Sequence, residues 1–196
     1  MKARIPALTL ILIFMVAGAV TAGVPCAGTS DADCFGDGAS GCNPSTNACV
    51  CPSGDVDVIQ VSVTIRDCYA NVLPGRTVDC YPTYNLDDFC FCPGVEYQQG
   101  TTDTFGQVCF FYDCFGGCAY IGFTVECEGI QLISNQMWVG SPDLDATCFV
   151  GIEDFAMFAS AYGGPDDCCD YDCSGGNINL TDFAIFAAHY GHGCPE

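Results

Sequence analysis

The sequence predicts a multi-domain protein, with a disulfide-rich N-terminal module, an all-β sandwich and a small all-α pair in that order. Three observations lead to this prediction. Apolar and polar residues alternate along residues 59–66, as in a strand with one buried face. A ten-residue segment near the C terminus occurs twice, 28 residues apart. Eighteen cysteines in 196 residues are typical of secreted chains that disulfides stabilise.

The charge of the chain limits its possible partners. Asp and Glu number 24 against 4 Lys and Arg, which gives a formal net charge of −20. Such a chain repels phosphate backbones and anionic lipid surfaces and attracts cations. We therefore expect no binding to nucleic acid.

Residues 1–22 have the three parts of a secretory signal peptide. Lys2 and Arg4 precede an apolar run at residues 8–16, and residues 20–22 offer small side chains to a signal peptidase. The uncharged run of residues 5–24 is about long enough to span a bilayer, so a retained anchor is the alternative. The cleavage site favours removal. We expect a mature chain that starts at Gly23, does not insert into a membrane, and is extracellular or on the cell surface.

Residues 23–53 are predicted to form the cysteine-rich module. The segment has no hydrophobic run, and its cysteines are separated by residues that favour turns. It is too short to bury enough apolar surface to fold alone, so disulfides must hold it. The alternative is a disulfide-bonded linker. Its cysteines are Cys26, Cys34, Cys42, Cys49 and Cys51.

Residues 54–141 are predicted to form the sandwich. Besides residues 59–66, strand patterns occur at residues 77–81, 108–112, 120–127 and 130–139. Glycine and proline turns separate these short strands, which is typical of antiparallel sandwiches.

Two turns in this region carry a family resemblance. A D-x-x-x-N-x-L-P-G turn runs from Asp67 through Asn71 to Gly75, and a T-D-x-x-G-x-V turn runs from Thr102 to Val108. In this the region resembles bacterial immunoglobulin-like and carboxypeptidase-regulatory-like domains. The resemblance implies an immunoglobulin-like sandwich that acts as a spacer or binding module, without a catalytic role.

Residues 142–196 contain the internal repeat. Residues 154–163 and 182–191 are identical at seven of ten positions. Aromatic residues recur with helical spacing in each copy, and a glycine follows where a helix would end. The sequence predicts two amphipathic helices packed together. The first apolar face holds Phe155, Phe158, Ala159 and Tyr162, and the second holds Phe183, Phe186, Ala187 and Tyr190.

Oxygen-bearing residues precede the first helix at the spacing of an EF-hand calcium loop. Cys148 occupies position 6, where glycine is usual, and an aspartate replaces the usual glutamate at position 12. Predicted ligands at positions 1, 3, 5, 7 and 12 are Asp143, Asp145, Thr147, Phe149 (through its carbonyl) and Asp154.

The second loop is one residue longer than the first. The sequence suggests that Gly175 or Gly176 accommodates the extra residue, because glycine tolerates almost any backbone angle. Its predicted ligands are Asp170, Asp172, Ser174, Asn179 and Asp182.

A duplicated loop and helix, with no helix before each loop, is similar to the dockerin module. The resemblance covers about the last 54 residues, including the two D-F-x-x-F-A-x-x-Y-G segments. It implies that Ca²⁺ orders the fold and that the helices bind a cohesin-like partner. Positions 10 and 11 are where the resemblance implies partner contacts. They hold Ile152 and Glu153 in the first copy and Leu180 and Thr181 in the second.

Two other interpretations of this region are possible. Ten acidic residues and no Lys or Arg would also suit a solvated acidic tail without metal. The second interpretation is a zinc site, because cysteines and histidines cluster here. An oxidising compartment favours disulfides over zinc binding. The residues concerned are Cys168, Cys169, Cys173, His189, His192 and Cys194.

The sequence favours a non-catalytic function. It has two histidines and neither an HExxH nor a GxSxG motif. We expect extracellular attachment through a protein partner. The alternatives are a cell-surface structural protein that calcium only stabilises, or a carbohydrate-binding accessory protein of a polysaccharide-degrading system. The last would use aromatic residues such as Tyr81, Tyr84 and Trp138.

The numbers of cysteines also restrict the disulfides. The three modules hold five, eight and five cysteines. If every cysteine pairs within the chain, each five-cysteine module must send at least one bridge to another module. Cys51 and Cys148, next to the boundaries, are the expected bridging residues.

Overall fold

A computed structural model describes residues 23–40, 42–85 and 87–195. The predicted signal peptide, residues 1–22, lies outside the described residues. The strands are β1 (Asp31–Gly36), β2 (Asn47–Cys49), β3 (Ile59–Thr64), β4 (Thr77–Thr83), β5 (Phe89–Phe91), β6 (Gln98–Thr101), β7 (Gln107–Tyr112), β8 (Phe115–Gly117), β9 (Ala119–Cys127), β10 (Ile130–Ile133) and β11 (Met137–Gly140). The helices are α1 (Ile152–Ala161) and α2 (Leu180–His189). No helix among the described residues is long and apolar enough to cross a bilayer.

Two sheets face one another across a single apolar core. One has the order β1-β3-β7; the other has the order β2-β11-β9-β4-β6, with β10 also paired to β9. Alternate residues of β3, such as Val61 and Val63, are fully buried, while Gln60 and Ser62 between them are only half-buried. The side chain of Tyr112 in the first sheet donates a hydrogen bond to the carbonyl of Cys80 in the second. The predicted β-sandwich is confirmed at this level.

The N-terminal segment is part of the sandwich. The sequence placed residues 23–53 in a separate cysteine-rich module, but β1 pairs antiparallel with β3 and β2 pairs parallel with β11. Cys34 on β1 faces the core of the sandwich. Strand pairing therefore stabilises a segment that seemed to depend on disulfides alone.

The predicted strand at residues 130–139 is two strands. β10 and β11 are separated at residues 134–136, where the Ser134 hydroxyl accepts a hydrogen bond from the amide of Phe123. The sequence patterns also missed the three- and four-residue strands β5, β6 and β8. Such short strands contain too few residues to establish an alternating pattern.

Both predicted helices are present, and each starts two residues earlier than its repeated segment. Each begins at a capping box in which the aspartate at the third helical position accepts a hydrogen bond from the backbone of the N-cap residue. Gly163 and Gly191 follow the helices with φ angles of +83° and +85°. These angles explain why glycine stands at both positions.

The helices pack together through their repeated aromatic residues. Phe158 of α1 stacks on Phe186 of α2 with ring centroids 5.1 Å apart, and both are almost completely buried. Tyr171, which lies between the helices in sequence, also stacks on Phe158. The predicted packing of the helices is confirmed at this pair of rings. The other aromatic residues of the predicted faces are more than one-third exposed: Phe155, Tyr162, Phe183 and Tyr190.

Five disulfides connect the three sequence segments. The prediction that bridges cross the segment boundaries is confirmed, because every one does so. Cys148 takes part as expected; Cys51 carries no bridge, so its assignment as a bridging residue was wrong. The bridges are Cys26–Cys68, Cys42–Cys173, Cys90–Cys148, Cys92–Cys194 and Cys118–Cys168.

Candidate metal centre

The first acidic loop, residues 143–154, brings three carboxylates together. One oxygen from each of Asp143, Asp145 and Asp154 lies within 4.8 Å of the others. Asp143 and Asp154 are buried, whereas Asp145 is exposed. The Thr147 hydroxyl donates to the Phe149 carbonyl at 3.3 Å, so the predicted oxygens at positions 5 and 7 are also adjacent.

Backbone amides hold the two buried carboxylates in place. Asp143 accepts hydrogen bonds from the amides of Thr147 at 3.0 Å and Cys148 at 2.9 Å. Asp154 accepts from the amides of Leu144 and Gly151, both at 2.7 Å. The loop is thus folded around its first and last acidic residues.

The second loop, residues 170–182, repeats this arrangement. Oxygens of Asp170, Asp172 and Asp182 also lie within 4.8 Å of one another. Asp170 accepts from the amides of Ser174 and Gly175, the residues equivalent to Thr147 and Cys148. Asp182 accepts from the amides of Asp172 and Asn179.

The backbone angles of the two loops also agree. At position 4, Ala146 and Cys173 have φ angles of +55° and +51°. At position 6, Cys148 and Gly175 have φ angles of +63° and +70°. Cys148 therefore adopts the left-handed turn that glycine usually provides, at a cost of about 1–2 kcal/mol for a non-glycine residue.

The extra residue of the second loop lies between Gly175 and Asn179. Gly175 already matches Cys148, so Gly175 itself is not the insertion. Asn179 matches Gly151 as the N-cap of its helix. The side chain of Asn179 accepts a hydrogen bond from the amide of Thr181, so this predicted ligand caps α2.

Each loop forms backbone hydrogen bonds with the turn that follows the helix of the other repeat. Val150 in the first loop exchanges backbone hydrogen bonds with the turn after α2, at Gly191 and His192. Ile178 in the second loop does the same with the turn after α1, at Gly163 and Gly164. The two repeats thus form one unit.

Without a bound cation, the clustered carboxylates of each loop repel one another. Burial, together with the nearby Asp154 and Asp145 carboxylates, raises the pKa of Asp143 to about 7, against backbone hydrogen bonds that lower it. Burial also raises the pKa of Asp170. Residues 142–196 contain no lysine or arginine that could offset these charges.

Residues outside the repeat cover the first loop. Cys90 forms the disulfide with Cys148, and Gly117 of β8 donates its amide to the carbonyl of Asp143 at 2.9 Å. Gly116 lies so close that a Cβ atom there would be 1.9 Å from the Asp143 carboxylate. The sequence does not predict these contacts, because these residues precede the loop by more than 25 positions and no local pattern links them.

The zinc ligand set suggested by the sequence does not form. Cys168, Cys173 and Cys194 are each in a disulfide. Cys169, the fourth cysteine of the suggested set, carries no disulfide. Burial lowers the pKa of His189 despite the neighbouring Asp55.

The helix pair exposes two equivalent apolar grooves of about 400 Å³ each. Phe155 and Phe183 line both grooves and are each more than one-third exposed. Leu180 lies in the first groove and Ile152 at the corresponding place in the second, at 69% and 60% exposure. These two are the position-10 residues of the loops. The grooves are completed by Phe158, Ala159 and Tyr162 in one and by Phe186, Ala187 and Tyr190 in the other.

Comparisons with known proteins give little further information. No protein family and no curated protein matches the chain. Among solved structures, the D00-D0 domain of Intimin is similar over 57% of this chain, with a TM-score of 0.37 and 9% sequence identity. The matched part is 47% of that chain, so this protein spans less than half of it. The likeness is too distant to carry a function over.

Proposed function

We propose that this is a secreted, non-catalytic protein that binds two Ca²⁺ ions in its C-terminal repeat and docks a protein partner through α1 and α2. One observation carries the proposal: two loops of matching backbone geometry each gather three carboxylates within 4.8 Å. A solvated acidic tail would have no reason to bury Asp143, Asp154 and Asp182.

The donor atoms of both loops suit calcium. Ca²⁺ takes six to eight oxygen ligands in flexible geometry, and each loop offers three carboxylates plus hydroxyl or carbonyl oxygens. In the first loop, Asp143, Asp145 and Asp154 would hold the ion with Thr147 and the Phe149 carbonyl. The bound ion would supply positive charge that offsets the repulsion between carboxylates. Its role would be structural, as the dockerin resemblance implies.

The surface of the helix pair supports docking. Apolar side chains that the packed helices leave exposed form two adjoining grooves, with Ile152 and Leu180 at equivalent places. Exposed, contiguous apolar surface of this kind marks interaction sites in soluble proteins. The dockerin resemblance implies partner contacts at these same positions. A cohesin-like or other extracellular protein is the proposed partner.

Calcium binding is tested on the whole mature chain. The C-terminal repeat alone would lose the partners of four disulfides, so it is not a suitable sample. Calorimetry is expected to show two Ca²⁺ per chain. Asp143→Ala or Asp154→Ala should remove one site, and Asp170→Ala or Asp182→Ala the other.

The thermal stability of the same samples provides a second measurement. A hundredfold excess of Ca²⁺ over its Kd should stabilise the native state by about 2.7 kcal/mol per site. Chelator should lower Tm, and added Ca²⁺ should restore it. Zn²⁺ should leave the heat of Ca²⁺ binding unchanged, because the loops offer only hard oxygen ligands. No heat of binding together with a Tm unaffected by chelator would contradict the proposal.

Docking is tested with the immobilised chain and secreted proteins of its source. Ile152→Asp and Leu180→Asp should abolish capture of a specific partner, since each places a charge in a groove. Met157→Asp is the matched control, because Met157 is an exposed residue of α1 outside both grooves. If no captured protein depends on the grooves while calcium still raises Tm, the structural alternative holds instead.

A polysaccharide is the second candidate partner. Tyr120 and Trp138 make an edge-to-face pair beside an open cavity of about 250 Å³ that polar Asn47 and Asp167 also line. Aromatic faces next to polar groups suit sugar rings. Retention of the chain on insoluble polysaccharides, lost in Trp138→Ala, would support this candidate. Tyr81 and Tyr84 fit less well, because their hydroxyls bond Glu126 and Glu96.

A further inference from the structure

A cluster of metal-binding side chains lies where the end of α2 meets residues 51–55. It consists of His189, His192, Asp55 and Cys51. One ligand atom from each residue lies within 4.8 Å of the other three. The cluster is distinct from the two acidic loops and shares no residue with them.

The distances among the two histidines and Asp55 match those of a tetrahedral metal site. The Nδ1 atoms of His189 and His192 are 3.4 Å apart, and they lie 3.2 Å and 3.4 Å from the two carboxylate oxygens of Asp55. Ligand atoms bonded to zinc at about 2.0–2.1 Å in a tetrahedron are about 3.3–3.4 Å from one another. Two imidazole nitrogens and a carboxylate are thus already spaced as ligands of one ion.

The fold fixes these side chains from both sides. His189 ends α2, and the turn at Gly191 brings His192 back beside it, held by the hydrogen bond from the Val150 amide to the His192 carbonyl. Cys51 is completely buried, and the hydroxyl of Ser53 lies 3.1 Å from its sulfur. The same hydroxyl lies 3.2 Å from Nδ1 of His192.

The donor set distinguishes this cluster from the acidic loops. Imidazole nitrogen and thiolate are ligands of zinc and related metals, whereas calcium binds oxygen. We propose that His189, His192, Asp55 and Cys51 bind one Zn²⁺ ion. With four protein ligands the site would be of the closed, structural kind, and it would attach the helix pair to residues 51–55.

The test uses the mature chain, treated with chelator and then placed in excess Ca²⁺ to fill the loops. Titration with Zn²⁺ should show one ion per chain. His189→Ala and His192→Ala should each weaken Zn²⁺ binding by more than about tenfold, a loss that even outer-shell changes can cause. Asp87→Asn, at an exposed acidic residue far from the cluster in sequence, is the control and should leave the affinity unchanged.

Cobalt tests the ligand set directly. The Co²⁺-loaded chain should show the visible absorption of a tetrahedral site and a sulfur-to-cobalt charge-transfer band. Cys51→Ser should remove the band while tetrahedral absorption remains. Absence of the band, with Cys51 found bonded to Cys114 across their backbone bridge, would overturn the assignment of Cys51.

The proposal as a whole fails under either of two results. The first is that no Zn²⁺ binds once the loops are filled with Ca²⁺. The second is that Zn²⁺ binds with an affinity that neither histidine variant alters. The contacts of Asp55 would then be only an ion pair with the histidines.

Discussion

The two acidic loops have the same internal geometry and different surroundings. The first lies against β8, with Asp143 fully buried and Cys148 bonded to Cys90 of β5. In the second, Asp170 is only half-buried, and Ser174 and Gly175 are exposed. The hydrogen bonds within a loop thus follow from its own sequence, whereas its accessibility depends on the sandwich. We expect the first loop to exchange its ion more slowly than the second.

Position 6 illustrates this difference. Gly175 adopts the left-handed turn without a side chain, as in most loops of this type. Cys148 adopts nearly the same φ and uses its side chain to form a bridge to the sandwich. The first loop therefore has a non-glycine residue at the left-handed turn and is bonded there to β5. The second loop is bonded at position 4 instead, by the bridge between Cys42 and Cys173.

The variants with the largest expected effect test whether the difference between the two loops extends to the two helices. Phe158→Ala and Phe186→Ala each remove a buried ring from the same stack, so each should lower the free energy of unfolding by about 3–5 kcal/mol. Denaturant unfolding of the disulfide-bonded chain in Ca²⁺ measures both. Costs that differ by more than about 1 kcal/mol would show that the asymmetry is not confined to the loops.

A smaller effect is expected when the cover of the first loop is disturbed. Gly116→Ala would place a methyl group 1.9 Å from the Asp143 carboxylate, so the carboxylate or β8 must shift. We expect a loss of about 1–3 kcal/mol in stability and weaker Ca²⁺ binding at the first site only. Calorimetry separates the two sites.

Gly176→Ala is the matched control for this variant. Its Cβ would come no closer than 3.8 Å to the nearest atom, the Ser174 hydroxyl, in the exposed second loop. Its binding should resemble that of the unaltered chain. Equal losses at both sites in Gly116→Ala would contradict the view that β8 acts on the first loop alone.

The smallest expected effect is a pH dependence in chelator. The pKa of Asp143 is raised to about 7, so without Ca²⁺ the folded chain retains a proton that the unfolded carboxyl releases near pH 4. The free energy of unfolding should therefore fall as pH rises from about 4 to about 7. Asp143→Asn should flatten this slope more than Asp170→Asn. Identical profiles for the two variants would show that burial does not distinguish the loops.

The sequence by itself determined the features encoded within a dozen residues. The spacing of Asp143, Asp145 and Asp154 placed three carboxylates in one cluster, and the 28-residue repeat predicted a second. The 3.6-residue period of aromatic residues predicted both helices and that they pack on each other, which they do at Phe158 and Phe186. These patterns are readable because neighbours in sequence are also neighbours in a loop or a helix.

Only the tertiary structure decided which distant segments meet. It paired β1 and β2 with the sandwich, chose the partners of Cys90 and Cys148, and brought Asp55 to His189 and His192. Eighteen cysteines allow very many pairings, and spacing along the chain does not rank them. Contacts of this kind form because the apolar faces of both sheets must share one core, and that requirement acts on the whole chain at once.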